Sequence, residues 1–197
     1  MSNPLSSEAF EQVFLNARTF NKFTEQEVSD ELIAKLYDMM KWAPTSMNCQ
    51  PAHMVVVKSA AAKARLNPAL AAGNQEKTMG APATIILAMD SQFYDHMPTQ
   101  FPANPNAKEM FKSNEELAKT TAFRNSSLQG GYLILAARML GLDCGPMSGF
   151  NNAAVDAEFF PDGRYKSNFL INIGYGDPSK NYPRGPRLPL EDAVEIL

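Results

Sequence analysis

The chain has 197 residues, enough to enclose a full hydrophobic core, and a single domain over residues 1–197 is the expectation. With 45% hydrophobic and 20% charged residues it has the balance of a folded globular protein, not of a disordered one. A formal charge of -3 and a pI near 5.4 offer no basic field to nucleic acid. No apolar run approaches the ~20 residues of a membrane span, so neither nucleic acid nor membrane is an expected partner.

The opening, Met1-Ser2-Asn3-Pro4, lacks the basic and then apolar pattern of a signal peptide, which makes a cytoplasmic location the expectation. Ser6 or Ser7 caps a helix with Phe10, Val13, Phe14 and Ala17 on one face. Arg18-Thr19-Phe20-Asn21-Lys22-Phe23 follows, a polar and basic cluster that reads either as a solvated helix end or as part of a site. Ser29 caps a second helix, with Asp30 and Glu31 in its first turn and Leu32, Ile33, Leu36, Tyr37 and Met40 as its stripe. Trp42-Ala43-Pro44 closes it. Between Pro44 and Pro51 the loop Thr45-Ser46-Met47-Asn48-Cys49-Gln50 gathers hydrogen-bonding side chains between rigid flanks, as a turn or as a binding loop.

Residues 54–58 form a strand whose unbroken Val55-Val56-Val57 asks for cover on both faces. A short helix spans 60–66. Another ends over 71–77, which sets Asn74 and Lys77 one turn apart and able to approach one ligand. Pro82 precedes a second buried strand, 84–88. The pattern loosens over 90–114, where Pro98, Pro102 and Pro105 lie among Phe93, Tyr94, Phe101 and Phe111; so many aromatics suit a lid or a subunit contact. The 117–140 segment is a long helix, apolar on every side near its end except for Arg138, and therefore expected to be enclosed by protein as the central core helix. Gly141 stops it. Asp143 to Gly149 then reads as a turn rich in glycine and proline, which either reverses the chain or presents amide N–H groups to a ligand. A helix at 153–160, a third strand at 169–173 and a loop over 174–187 carrying Lys180, Arg184 and Arg187 complete the chain, with a last turn at 190–194. The fold class is α/β (α+β), a mixed sheet covered by helices.

Side-chain catalysis is poorly served. Cys49 and Cys144 lie far apart with no Cys-x-x-Cys, His53 and His96 read as structural, and no metal-ligand spacing appears. No nucleophile elbow or His-Glu-x-x-His is present, and Gly174-Tyr175-Gly176 lacks the third glycine of a dinucleotide fingerprint. No residue is assigned a catalytic role, and the hard chemistry is left to a cofactor. Arg18, Thr19, Asn21, Asn74, Lys77, Ser148, Gly149 and Arg187 would together suit a ligand with a phosphate and a polar ring edge, although spacing does not show that they meet.

At these residues the chain resembles the flavin-dependent nitroreductase family over essentially its whole length. Arg18-Thr19-Phe20-Asn21 with Phe23 is similar to that family's Arg-Ser-x-Arg opening, with Asn21 where a basic residue is usual. Ala43-Pro44-Thr45-Ser46-Met47-Asn48-Cys49-Gln50-Pro51-Ala52 resembles its Ala-Pro-Ser-x-x-Asn-x-Gln-Pro-Trp motif, with Ala52 in place of Trp. Asn74 and Lys77 match an Asn-x-x-Lys pair, Pro146-Met147-Ser148-Gly149-Phe150 matches a Pro-x-Glu-Gly-Phe turn, and Arg187 matches a late phosphate-binding residue. The resemblance implies an intertwined homodimer binding FMN: Arg18, Thr19 and Arg187 at the phosphate, Asn21 toward the ribityl chain or ring edge, Asn74 and Lys77 at the pyrimidine side. Pro146, Met147, Ser148 and Gly149 would lie at the N5/O4 edge, and Pro44, Thr45, Ser46 and Asn48 would reach the flavin of the partner subunit. Lys41 to Ser46, Ala122 to Ser127, Gly145 to Phe150 and Asn172 to Gly176 further resemble the malonic semialdehyde reductase branch, which serves uracil breakdown. That implies NADPH or NADH as reductant, ping-pong hydride transfer through flavin N5, and an aldehyde substrate. A nitroaromatic or quinone reductase and a non-catalytic flavin-binding protein are the competing expectations.

Overall fold

The computed structural model describes residues 3–197, so Met1 and Ser2 of the opening segment lie outside the described residues. The first helix, α1 (Ser7–Phe10), is capped by Ser6, whose Oγ accepts from Ala9 N–H at 3.3 Å. It widens into a π-helical turn, Glu11–Leu15. Of the expected face only Val13 is buried; Phe10 and Phe14 pack on each other at 5.4 Å on the surface of the chain. Then come α2 (Asp30–Met40), β1 (Ala52–Val57), α3 (Ala60–Leu66), α4 (Ala72–Gly80) and β2 (Ala83–Asp90). The looser stretch resolves into a 3-10 turn at Phe93–His96, α5 (Met97–Gln100) and α6 (Ala107–Lys112). After it follow α7 (Glu115–Met139), β3 (Asp143–Met147), α8 (Asn152–Phe159), β4 (Tyr165–Gly174) and α9 (Leu190–Ala193).

The four strands make one sheet in the order β1-β2-β4-β3, every neighbouring pair antiparallel. This corrects the expected mixed sheet: among the described residues the parallel pairing is confined to an isolated bridge between Thr19 and Cys144. It also corrects the reading of Asp143 to Gly149 as a turn. Residues through Met147 are a strand, and Pro146 is tolerated there because β3 lies at the end of the sheet order, where a missing N–H costs least. β1 is the opposite edge, so Val55 and Val56 are half-buried and the two-sided cover expected of them falls short.

One face of the sheet carries α2 and α7, with Leu36, Met40, Leu133 and Ala137 against Ile85, Ile171 and Ile173. The other carries α3 and α8, with Leu66 and Val155 against Ile86 and Leu170. α7 comes very close to the strands at Gly130: a Cβ there would stand 2.4 Å from Phe169 Cζ and 2.5 Å from Leu87 Cδ2. The 93–111 stretch is packed, not loose. Phe93, Met97 and Phe111 join Ala118 and Ala122 of α7 and Cys49 of the proline-flanked loop in a cluster of their own.

The central helix is enclosed only in part. Leu133, Ala136 and Ala137 are buried, but Leu128 is 43% exposed, Tyr132 38% and Met139 46%. The expectation of an all-round apolar surround therefore fails within a single chain. Positions 128, 132 and 139 fall on one side of the helix, an apolar stripe left facing outward.

Candidate functional site

Arg18, Thr19, Asn21 and Arg187, read from opposite ends of the sequence, line one cavity of about 310 Å³. Ala17, Arg138, Tyr182, Pro183, Arg184 and Gly185 complete it. Two backbone anchors bring the ends together. Thr19 bridges to Cys144 beside β3, with Phe20 N–H donating to Cys144 O at 3.0 Å, and Phe23 bridges to Gly176. The close approach requires Gly145, where a Cβ would stand 2.6 Å from Phe20 O. The C-terminal segment is tied down by arginines: Arg18 donates to Tyr182 O, and Arg184 donates to Leu15 O at 2.6 Å and Ala17 O at 3.0 Å. Arg187 donates only to its own neighbours, Gly185 O at 2.9 Å and Pro186 O at 3.0 Å.

The cavity is electrostatically one-sided. Its four guanidiniums, Arg18, Arg138, Arg184 and Arg187, bond to carbonyl oxygens, and among the described residues none has a carboxylate within ion-pair distance. Like charges gathered without counter-charge repel, and an anion with several acceptor oxygens relieves that repulsion.

A second group assembles around the end of β3. Asn74 Nδ2 donates to Gly149 O at 2.7 Å, and Ala71 N–H donates to the same oxygen at 3.0 Å. Ser148 and Gly149 are exposed beside α4. Lys77 is half-buried with no ion-pair partner among the described residues, and burial lowers its pKa from the free-lysine value. α4 is held in place by a buried polar chain: Asn172 Nδ2 donates to Thr78 Oγ1 at 3.3 Å, and Asn172 Oδ1 accepts from Thr84 at 2.8 Å. Lys180 also links the C-terminal segment to α4 through Glu76 at 2.5 Å. β3 joins the two groups, since Cys144 pairs with Thr19 and Met147 leads into Ser148 and Gly149. Pro146 and Met147 pair with Ile171 and Leu170, so they contribute as strand residues and not as the loop expected of them.

Pro44, Thr45, Ser46 and Asn48 stand elsewhere and do not line the cavity. Their loop is strained: Met47, Asn48 and Gln50 have φ of 51°, 52° and 42°, a left-handed conformation that side chains resist. Hydrogen bonds hold it. Ser46 N–H donates to Asn125 Oδ1 of α7 at 2.8 Å, and Asn48 Nδ2 donates to Gln100 O at 2.9 Å. Strain maintained by such ties is typical of loops that present groups to a ligand.

Elsewhere the reactive side chains are disarmed. Burial pushes the Cys49 thiol up to about 11 and the Cys144 thiol up to about 12, so neither is a thiolate at neutral pH. His53 stacks on Tyr165 at 3.9 Å, and burial lowers its pKa. His96 borders the Asp90 and Arg164 ion pair. Among the described residues no cluster of His, Cys, Asp and Glu could hold a metal, and no helix is long and apolar enough to cross a membrane. The sequence reading missed six of the lining residues, two of them guanidiniums: Arg184, which stood in an undifferentiated tail, and Arg138, which was visible only as the lone charge of an apolar helix.

The Nitroreductase family matches residues 15–175. A relative from Rhodopseudomonas palustris is 54% identical over 197 residues, covering 100% of both chains, and carries the provisional name NADH dehydrogenase/NAD(P)H nitroreductase. One from Burkholderia lata with the same provisional name is 54% identical over 98% of each chain. Among solved structures, a nitroreductase-like protein from Exiguobacterium sibiricum in complex with FMN superposes with a TM-score of 0.83 at 22% identity, over 100% of both chains. A nitroreductase-like protein from Bacillus subtilis gives 0.85 at 23% identity, over 98% of this chain and 100% of its own.

Proposed function

This chain belongs to the nitroreductase family, and from that premise we propose that it is a cytoplasmic FMN-dependent NAD(P)H oxidoreductase, one flavin-binding domain acting as a homodimer. The observation that carries the proposal is the cavity of uncompensated guanidiniums, a fit for a phosphate dianion and a poor one for a neutral ligand. At about 310 Å³ the cavity lies at the low end of ligand sites, so it takes the phosphorylated end of the molecule and leaves the ring to the second group.

Arg18, Thr19 and Arg187 hold the phosphate, and Asn21 meets the chain that follows it. Because Asn74 Nδ2 is committed to Gly149 O, its Oδ1 remains free to accept from a ring N–H. The backbone N–H groups of Ser148 and Gly149, beside Pro146 and Met147, would hold the N5/O4 edge of the ring. Lys77, half-buried and without a counter-charge, favours negative charge on the pyrimidine side. When bound, FMN supplies reversible hydride transfer, which no side chain of this site can supply. The apolar stripe of Leu128, Tyr132 and Met139 is covered by a second copy, whose Pro44, Thr45, Ser46 and Asn48 complete the site.

The proposed reaction is reduction of malonic semialdehyde to 3-hydroxypropionate at the expense of NADPH or NADH, with donor and acceptor using the site in turn. Its support is the set of long strings shared with that branch. A second reading is a nitroaromatic or quinone reductase, and the relatives' names, which read NAD(P)H nitroreductase, favour its nitroaromatic form. Purified protein should be yellow and should sediment as a dimer; a flavin-loaded, active monomer would overturn the shared site. Steady-state kcat/KM for malonic semialdehyde and a nitroaromatic, each with NADPH and with NADH, separates the substrates. Preference for the nitroaromatic by orders of magnitude removes the semialdehyde and leaves the flavin reductase.

A further inference from the structure

Arg138 reaches the cavity from α7, whereas its other guanidiniums come from the N-terminal segment and the C-terminal loop. Nη1 donates to Val13 O at 3.1 Å, and the residue's own backbone oxygen accepts from Gln12 at 2.7 Å. Nε is buried and has no partner. A buried guanidinium N–H without an acceptor is a rare and costly arrangement, and among the described residues no protein oxygen supplies one, the Val13 carbonyl being the single acceptor the guanidinium meets. The neighbouring carboxylate does not. Asp143 feels the charge of Arg138, but its Oδ2 accepts from Gly176 N–H at 2.9 Å, no ion pair joins it to Arg138, and burial pushes its carboxyl up. Arg138 also stands in the last turn of α7, where the helix dipole favours a cation.

We propose that Arg138 is a further anion-binding residue of this cavity, selecting a phosphomonoester dianion over the same ligand without its phosphate. The inference rests on the reading of the cavity as a phosphate site and adds a residue drawn from the core helix. A strut that only fastens Val13 would be satisfied by one N–H and would not need to line the cavity. An anion-binding arginine uses the rest of its fork.

The test uses flavin-free protein. Wild type, Arg138→Gln and Arg138→Lys are titrated with FMN and with riboflavin, read by flavin fluorescence, and their melting temperatures are measured with and without inorganic phosphate. The expected result is FMN affinity lowered about tenfold or more in Arg138→Gln, with riboflavin affinity held and phosphate protection reduced. Arg138→Lys should recover part of the loss, since it restores charge without the fork. Equal weakening of both flavins, or of neither, overturns the proposal. If Arg138→Gln does not fold, Arg138→Lys decides by the same comparison: FMN weakened alone supports the role, and parallel changes refute it. Failure of the underlying phosphate reading looks different, because wild type would then bind riboflavin as tightly as FMN and gain nothing from phosphate.

Discussion

Gly149→Ala is the substitution whose outcome the geometry constrains most closely. The added Cβ would stand 2.5 Å from Asn74 Nδ2, 3.6 Å from Ala71 Cβ and 3.7 Å from Asn74 Cγ. Only the first distance is impossible, so the Asn74 amide must turn away and release Gly149 O, now held at 2.7 Å. That removes one hydrogen bond, about 1 kcal/mol. Gly149 is not among the left-handed glycines, so alanine suits its backbone and restricts the unfolded chain, which returns about 0.4–1 kcal/mol. The two nearly cancel. The apoprotein should melt within a few degrees of wild type, while flavin affinity falls, because Asn74 has lost its orientation. With Asn74→Ala already present the clash is gone, and adding Gly149→Ala should stabilise the protein. A double-mutant cycle in urea should therefore give a coupling of about 1 kcal/mol. Equal destabilisation by Gly149→Ala in both backgrounds would refute the claim that this glycine exists to seat Asn74.

Arg18→Ala or Arg187→Ala should weaken FMN by one to two decades, each removing a charge-assisted contact of roughly 1.5–3 kcal/mol; unchanged titrations would take both out of the phosphate site. Lys77→Met should stabilise flavin-free protein at neutral pH while lowering FMN affinity, because burial opposes the charged form of the lysine. A lowered folded pKa means the unfolded chain holds the proton longer. The stability gap between variant and wild type should therefore narrow as pH rises from the lowered value toward 10.5, and a widening gap would contradict the burial argument. Gly130→Ala inserts a methyl between Phe169 and Leu87 and should cost about 1–3 kcal/mol of stability in thermal unfolding; a neutral result would mean that α7 can lift from the sheet.

What the sequence discloses follows the range of the interactions that decide it. Ser29 announces the start of α2 because capping is settled within three residues, and Oγ duly accepts from Leu32 N–H at 3.2 Å. The unbroken apolar run at Ile85 to Ala88 announces a buried strand for the same local reason. β3 hides because Gly145-Pro146 has the local signature of a turn, and its strand character is conferred from outside by pairing with Ile171 and Asn172. The stripe at Leu128, Tyr132 and Met139 could be seen as apolar, but not as outward-facing, since apolar periodicity does not distinguish a core contact from a contact with another copy. The site follows the same rule. Asn74 and Lys77 are neighbours on one helix and could be paired by inspection, whereas Arg138 meets the N-terminal segment through Val13, 125 residues away, and Arg184 meets Leu15 across 169. Contacts of that length leave no local mark. Their physical trace is the charge they leave unpaired: a guanidinium without an ion-pair partner is ordinary alone, and four around one cavity are what the proposed anion site would require.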